Sequence, residues 1–162
     1  MTETKKDIIK VRRNTAMVFQ AYNLFRHKTA LENVMEALVV VQNMSKCDAR
    51  EIAEEELIRV GLADRMNYFP HQMSGGQQQR VGIARALAIK PKVILFDEPT
   101  SSLDPEMIGE VLDVIRSISH KGITLIIVTH EMDFAKDCAD RVIFLADGNI
   151  YEESTPEEFF TN

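Results

Sequence analysis

Short clusters of apolar, mostly branched residues recur along the chain, and the segments between them have helical spacing. Four of these clusters predict short buried strands, at residues 16–19, 93–96, 124–128 and 142–145. Between the clusters, apolar positions recur every three or four residues, which is typical of helices that cover a core with one face. The predicted helical segments are residues 31–41, 49–60, 81–88 and 105–118.

Polar residues at fixed offsets predict where several helices begin and where a hairpin turns. A tight turn is expected at residues 147–149, between the strand 142–145 and a short strand at 150–151. In a capping box, the side chain of the residue before the helix accepts the backbone N–H of the residue three positions later. The side chain of that later residue accepts the backbone N–H of the first. Three pairs have this spacing: Asp48 with Glu51, Ser74 with Gln77, and Thr155 with Glu158.

The alternation of helices and continuous apolar strands in the second half predicts an α/β fold, with a parallel sheet covered on both faces. Residues 21–72 differ, because they contain at least two helical patterns and no convincing strand. We therefore expect a core formed by residues 1–20 and 73–162, with a helical subdomain at 21–72 inserted into it. The segment 73–77 would open the last helix of that subdomain.

Composition and charge narrow the function classes. The 162 residues are 45% hydrophobic and 27% charged, as in a soluble globular protein, and the net charge of -6 argues against broad capture of nucleic acid. No apolar run is long enough to span a bilayer, and the first residues lead into no signal-peptide core. Cys47 and Cys138 lie far apart in the sequence. These features predict a cytoplasmic protein with reduced thiols.

Two acids follow the apolar strand at residues 93–96. Asp97 and Glu98 would lie beyond the carboxyl end of that strand, where α/β sheets bind ligands. One carboxylate can hold a hydrated Mg²⁺ while the other orients or deprotonates water, and Pro99 favours an extended Glu98. Two exposed acids at the end of a strand are an equally open interpretation at this point.

A second candidate is the sequence MSGGQ at residues 73–77. The Ser74–Gln77 box and the two glycines between its members would build a helix N-terminus that can receive a phosphate. An ordinary glycine-containing loop explains the same residues. His130, after the strand 124–128, and Gln20, after the strand 16–19, are weaker signals when each is taken alone.

Taken together in their order along the chain, these signals resemble the ATP-binding subunit of ATP-binding cassette (ABC) transporters, in the branch that imports polar amino acids. The resemblance covers essentially the whole chain and implies a partial P-loop NTPase core. Met73 stands where the signature motif usually has leucine. The matching motifs are the glutamine loop at Gln20, the signature at 73–77, the Walker B strand at 93–98, the D-loop at 101–104 and the switch histidine His130.

The resemblance also implies roles for these residues. Asp97 would hold the Mg²⁺ of Mg-ATP through water, and Gln20 would sense that Mg²⁺ and the attacking water. Glu98 would be the general base, and His130 would contact the γ-phosphate and link it to Glu98. Residues 21–25 would carry the signal of Gln20 toward the membrane partner. The residues implied to contact ATP, mainly ATP bound on the opposite subunit, are Ser74, Gly75, Gly76, Gln77 and Asp104.

The implied partners are transmembrane permease subunits, a second ATPase subunit and, indirectly, an extracytoplasmic substrate-binding protein. Nucleic acid is not among them. The implied location is the cytoplasm, peripheral on the inner face of the cell membrane.

The sequence departs from the family at one point, because it holds no G-x-x-x-x-G-K-[ST] phosphate loop. We therefore expect an incomplete subunit that does not hydrolyse ATP by itself. The strand that bears that loop would lie between the strands 124–128 and 142–145. We accordingly expect either marginal stability with self-association, or a structure in which the hairpin at 142–151 is displaced or the gap is filled by another chain.

Two alternatives remain at this point. The chain could be a non-catalytic interaction fragment or pseudo-subunit, which binds a membrane subunit or a complete ATPase. It could also be a DNA-repair type of ABC ATPase. That type usually carries long insertions, and only 53 residues separate Gln20 from Ser74, so it is the less favoured of the two.

Overall fold

A computed structural model describes residues 5–119 and 122–161. The chain divides into two compact units, the first ending at Val128 and the second beginning at Thr129. Each unit is described by itself.

The first unit is built on a parallel sheet of three strands in the order β1-β2-β3. The strands are β1 (Thr15–Val18), β2 (Val93–Asp97) and β3 (Thr124–Val128). Val18 pairs with Phe96, and Asp97 pairs with Val128, so the three carboxyl ends meet at one edge of the sheet. The buried side chains of Val18, Ile94 and Phe96 anchor β1 and β2 in the core. The α/β class with a parallel sheet is thereby confirmed.

Five helices and one short 3₁₀ turn complete the described part of this unit. Helices α2 (Ala30–Val40), α3 (Lys46–Arg59) and α4 (Gly75–Ala88) pack on one another, and α4 also contacts β1 and α5 (Pro105–Ser119). Val34, Leu38, Leu57 and Val81, which have the predicted spacing, are fully buried, whereas Val41 at the end of the α2 pattern is 60% exposed. Helix α1 (Lys5–Asn14) precedes β1, and the 3₁₀ turn at Pro70–Gln72 lies between α3 and α4.

One predicted cap is wrong. Helix α3 is capped by Ser45, three residues before Asp48, and the Ser45 hydroxyl oxygen accepts the Asp48 N–H at 3.1 Å. The Asp48 carboxylate accepts the Ser45 hydroxyl at 2.8 Å, so Asp48 belongs to the first turn rather than to the cap. The boxes Ser74 with Gln77 and Thr155 with Glu158 are confirmed.

The second unit contains α6 (Met132–Cys138), β4 (Val142–Ala146), β5 (Asn149–Ser154) and α7 (Pro156–Phe159). Strands β4 and β5 form an antiparallel hairpin that is a separate two-stranded sheet. The two turn residues, Asp147 and Gly148, have φ of 49° and 77°. Two consecutive left-handed residues define the turn whose twist matches a hairpin, which confirms the predicted turn.

In the part of the chain that the structure describes, no helix combines the length and the apolar character that crossing a bilayer requires. The division into a core and a helical subdomain at 21–72 stays a prediction.

Candidate functional site

Three of the predicted site residues lie at the carboxyl edge of the parallel sheet. Gln20 follows β1 by two residues, Asp97 ends β2, and Glu98 comes directly after it. The Glu98 N–H donates to the carbonyl of Val128 at 3.0 Å, which ties the end of β2 to the end of β3. Asp97 is exposed and Glu98 is partly exposed. The edge therefore presents one carboxylate to solvent and holds the backbone of the next in place.

The backbone of Glu98 is left-handed, with φ of 44°. The extended conformation expected from the following proline is therefore wrong. Its carbonyl accepts the N–H of Ser101 at 3.3 Å and the hydroxyl of Ser101 at 3.0 Å, and Pro99 and Thr100 are buried beneath the turn. A left-handed residue other than glycine costs about 1–3 kcal/mol and persists only where its surroundings over-determine it. Such residues concentrate at functional sites.

The loop at residues 101–104 contacts the segment that follows β1. The Ser102 hydroxyl donates to the carbonyl of Gln20 at 2.7 Å, and the Tyr22 hydroxyl donates to the carbonyl of Ser102 at 3.1 Å. Two reciprocal hydrogen bonds thus connect segments that are 80 residues or more apart in the sequence. Asp104 ends the loop and is exposed, directly before α5.

The predicted phosphate-receiving helix terminus is well formed. The Gln77 N–H donates to the hydroxyl oxygen of Ser74 at 3.2 Å, and the Gln77 side-chain oxygen accepts the Ser74 N–H at 3.1 Å. A helix start leaves its first N–H groups without helical partners, and these groups favour an anion. The terminus can therefore receive a negatively charged group.

Both glycines after Ser74 are required by close approach. A Cβ on Gly75 would lie 2.7 Å from the hydroxyl of Tyr22 and 3.1 Å from a methyl carbon of Leu103. A Cβ on Gly76 would lie 3.1 Å from the Cβ of Met107. The start of α4 consequently packs directly against both the segment after Gln20 and the beginning of α5.

Tyr22 and Arg85 belong to this arrangement. Tyr22 lies in the segment 21–25 to which the motif pattern gives a role, whereas no sequence signal pointed to Arg85. Arg85 lies in the last turn of α4 and donates to the carbonyls of Asn23 and Tyr22 at 2.8 Å and 3.2 Å. Burial lowers the pKa of Arg85, since removal from water penalises the charged guanidinium. No local pattern identifies Arg85, because its contacts join positions 62 and 63 residues apart.

A cavity of about 540 Å³ opens beside the segment that follows Gln20. Its wall combines that segment with the approach to α4, so it lies next to the hydrogen-bonded turn at Tyr22. The lining includes Ala21, Tyr22, Leu24, Arg26, His71 and Gln78.

His130 lies in the second unit, in the loop between β3 and α6. Its side chain is exposed, and the next residue, Glu131, donates its N–H to the Thr129 hydroxyl oxygen at 3.0 Å. Among the described residues, no three His, Cys, Asp or Glu side chains form a cluster that could hold a metal ion.

Solved structures with a similar fold are ATP-binding cassettes. A dimeric post-hydrolysis structure of the cassette MJ0796 with ADP and Pi has a TM-score of 0.81 and 37% identity, covering 95% of this chain and 68% of that chain. The structure of cbiO1 from Clostridium perfringens, part of the ABC transporter complex cbiONQ, has a TM-score of 0.87 and 30% identity. It covers 98% of this chain and 63% of that chain. The fold is therefore that of a partial P-loop NTPase core.

The chain belongs to the ABC transporter family, whose sequence profile matches residues 1–101. A probable amino-acid ABC transporter ATP-binding protein of Haemophilus influenzae is 61% identical over 98% of this chain and 62% of its own length. The L-cystine import ATP-binding protein TcyN of Bacillus subtilis is 57% identical over 97% of this chain and 61% of its own length. The glutamine transport ATP-binding protein GlnQ of Bacillus subtilis is 54% identical over all of this chain and 67% of its own length.

The resemblance stated from the motifs is thereby confirmed at the level of the family. The chain spans about three fifths of the length of the first two of these relatives, at 62% and 61%.

Proposed function

We propose that this chain is part of an ATP-binding subunit that energises the import of polar amino acids through a membrane permease. The observation that carries the proposal is the hydrogen-bonded arrangement at the sheet edge. There the carbonyl of Gln20 is bound to the 101–104 loop, and Asp97 and Glu98 end the neighbouring strand. The similarity to proteins named for cystine, glutamine and glutamate transport supports the substrate class.

The proposed chemistry is ATP hydrolysis, with Glu98 as the general base. The left-handed turn and the bond to Val128 fix the Glu98 backbone while the side chain stays partly exposed to solvent. Asp97 and Gln20 supply oxygen ligands of the kind that Mg²⁺ accepts, and Mg²⁺ commonly takes one or two carboxylates together with water and phosphates. A bound Mg²⁺ would neutralise the charge on the phosphates. The role of His130 at the γ-phosphate is proposed from the sequence pattern alone.

The start of α4 is proposed to face ATP held by a second ATPase subunit. Its capped N-terminus suits an anion, and its contact residues would be Ser74, Gly75, Gly76 and Gln77, with Asp104 near the same surface. We propose that the active assembly is accordingly a pair of ATPase subunits.

The cavity of about 540 Å³ beside residues 21–24 is the proposed seat of the permease. It lies next to the turn whose backbone is bonded to the 101–104 loop, so an occupant could act on Gln20. The proposed location is accordingly the cytoplasm, peripheral on the inner face of the membrane. The contact with an extracytoplasmic substrate-binding protein would be indirect, through the permease.

Uptake in the native host tests the proposal. Deleting the gene should reduce uptake of radiolabelled cystine, glutamine or glutamate, while uptake of an unrelated sugar stays unchanged. The wild-type gene should restore uptake, and Glu98→Gln should not. Asp113→Asn, which changes an exposed acid on α5, is the matched control and should restore it. Unchanged uptake of all three amino acids would contradict the proposed function.

A second candidate, an interaction fragment without activity of its own, is favoured by one observation. No G-x-x-x-x-G-K-[ST] sequence occurs in the 162 residues, and that loop supplies most contacts to the phosphates in P-loop ATPases. We expect the purified polypeptide to show no ATP turnover above background in a steady-state assay. Turnover that disappears in Glu98→Gln would show that this expectation is wrong.

A further inference from the structure

Two consecutive non-glycine residues in the left-handed region follow the candidate glutamine Gln20. Tyr22 has φ of 58° and Asn23 has φ of 51°. Local backbone bonds to these residues are few, namely Tyr22 N–H to the carbonyl of Phe19 at 3.3 Å and Asn23 N–H to the carbonyl of Ala21 at 2.6 Å. A turn of this kind needs support from elsewhere in the fold, because side chains with a Cβ disfavour the left-handed region.

Arg85 provides that support. Its two terminal nitrogens donate to the carbonyls of Asn23 and Tyr22, at 2.8 Å and 3.2 Å. Burial lowers its pKa, and none of the ion pairs found among the described residues involves it. The two backbone carbonyls therefore replace water as the hydrogen-bond partners of the partly buried guanidinium. The planar fork of arginine suits two acceptors side by side, which a single ammonium group cannot match.

The same turn is held on its other side by the side chain of Tyr22. The hydroxyl of Tyr22 donates to the carbonyl of Ser102 and lies against Gly75 at the start of α4. The hydroxyl of Ser102 donates back to the carbonyl of Gln20. Helix α4, the turn and the 101–104 loop are thus linked through one continuous set of hydrogen bonds.

We propose that Arg85 is a positioning residue whose guanidinium fork fixes the Tyr22–Asn23 turn, and through it the backbone of Gln20, relative to helix α4. The inference deepens the proposed function, since it rests on the role proposed there for Gln20. Arg85 itself touches neither nucleotide nor the reacting atoms. Its effect is transmitted through two backbone carbonyls.

Hydrogen exchange in the 162-residue chain tests the proposal without any nucleotide. Arg85→Gln should raise exchange of the Tyr22 and Asn23 amides by about tenfold, because their turn loses both hydrogen bonds from the guanidinium. Arg85→Lys should give a smaller increase, since an ammonium group can reach one carbonyl but not both. The Phe25 amide should keep its protection, because it donates to the side-chain oxygen of Asn33 at 2.8 Å.

Two comparisons separate positioning from a general loss of stability. Amides of β2 (Val93–Asp97) should exchange at the wild-type rate in Arg85→Gln, whereas a structural role alone would raise exchange in β2 and in the turn together. Arg50→Gln, on the exposed surface of α3, is the matched control and should leave the turn unchanged. Equal increases in β2 and the turn, or no increase at the turn, would overturn the inference.

A third readout links the turn to the reaction and keeps the two hypotheses distinguishable. In the uptake assay, Arg85→Gln should lower the rate while the amount of protein in the cell stays at the wild-type level, and Arg85→Lys should restore part of it. Wild-type uptake by Arg85→Gln would overturn the inference and leave the proposed function intact. Failure of the wild-type gene to support uptake would contradict the proposed function, while the exchange result would still decide whether Arg85 fixes the turn.

Discussion

At the scale of single residues, the first glycine of α4 carries a clear steric requirement. An added Cβ at Gly75 would meet the Tyr22 hydroxyl at 2.7 Å, so the tyrosine must move and its bond to Ser102 must lengthen or break. Overpacking of this kind typically costs about 1–3 kcal/mol. We expect Gly75→Ala to lower the free energy of unfolding by that amount in urea denaturation.

Gly109 offers a matched control within an α-helix. It lies on α5, and a Cβ added there has no heavy atom within 4 Å. Replacing glycine by alanine inside an exposed helix stabilises by about 0.5–1 kcal/mol. Gly109→Ala should therefore raise the free energy of unfolding, and a loss as large as that of Gly75→Ala would show that contact with Tyr22 is not the cause.

Gln79 is the most unusual buried side chain of α4. It is 0% exposed, and neither its amide nitrogen nor its amide oxygen has a hydrogen-bond partner in the part of the chain that the structure describes. An unsatisfied buried polar group costs about 1–3 kcal/mol. We expect Gln79→Met, which keeps the length of the side chain, to raise the free energy of unfolding by about 1 kcal/mol.

The neighbouring Gln78 serves as the comparison for this experiment. Its amide nitrogen donates to the carbonyl of Met73 at 3.1 Å, so Gln78→Met removes a bond that is present. The loss should be about 0.5–1.5 kcal/mol. If both methionine variants lower the urea midpoint, the amide of Gln79 is satisfied in solution.

At the scale of elements, apolar periodicity located β1 to β4, α2, α3 and α5 within three residues of their ends. For α4 it indicated only residues 81–88, and the Ser74 cap supplied the start at Gly75. Periodicity failed for α1 (Lys5–Asn14), in which half of the residues are basic and only Ile8, Ile9 and Val11 are apolar. The cap of α3 was also misplaced. Ser45 and Asp48 can each cap a helix, and the sequence alone does not decide at which of them the helix begins. Local patterns therefore define elements better than they define their termini.

The candidate site divides in the same way. Gln20, Asp97, Glu98 and the Ser74 cap could be located from sequence, since each lies at or near the end of a strand or caps a helix. Contacts between these segments could not, because they depend on side chains that only the tertiary fold brings together. The left-handed Glu98 is a further case, in which tertiary bonds override the preference that its proline neighbour imposes.

The shortest helix, α7, should respond to pH in a defined direction. A hydrogen bond from the Thr155 backbone N–H, and a second from its hydroxyl, lower the pKa of Glu158. Because this pKa is lowered, the capping box stabilises α7 fully at pH above the ordinary glutamate pKa of about 4.3. That stabilisation is lost only as the pH falls through the lowered pKa. We expect the Thr155 amide resonance to titrate with a midpoint below that ordinary value.

Two variants test this assignment by NMR. Glu158→Gln removes the titrating carboxylate and should abolish the transition at Thr155. Glu157→Gln changes an adjacent acid in the same turn and should preserve it. A midpoint at or above the ordinary glutamate value in the wild type would contradict the capping interaction.

At the scale of the whole molecule, β3 (Thr124–Val128) ends the three-stranded sheet without a further strand among the described residues. Ile126 and Val128 on this strand are each 53% exposed. The hairpin of the second unit likewise exposes apolar side chains at Leu145 and Ile150. An exposed, apolar strand edge is a template for pairing with another chain. We expect the 162-residue polypeptide to self-associate as its concentration rises.

Substitution on β3 should reveal whether that edge is responsible. A lysine on an edge strand opposes pairing, because association would bury or juxtapose its charge. Ile126→Lys should therefore shift the onset of association, measured by light scattering, to a concentration higher by about tenfold. Ile58→Lys on α3 replaces an isoleucine that is 58% exposed on a helix, and it should leave the onset unchanged. Equal shifts in both variants would attribute association to net charge and not to the strand edge.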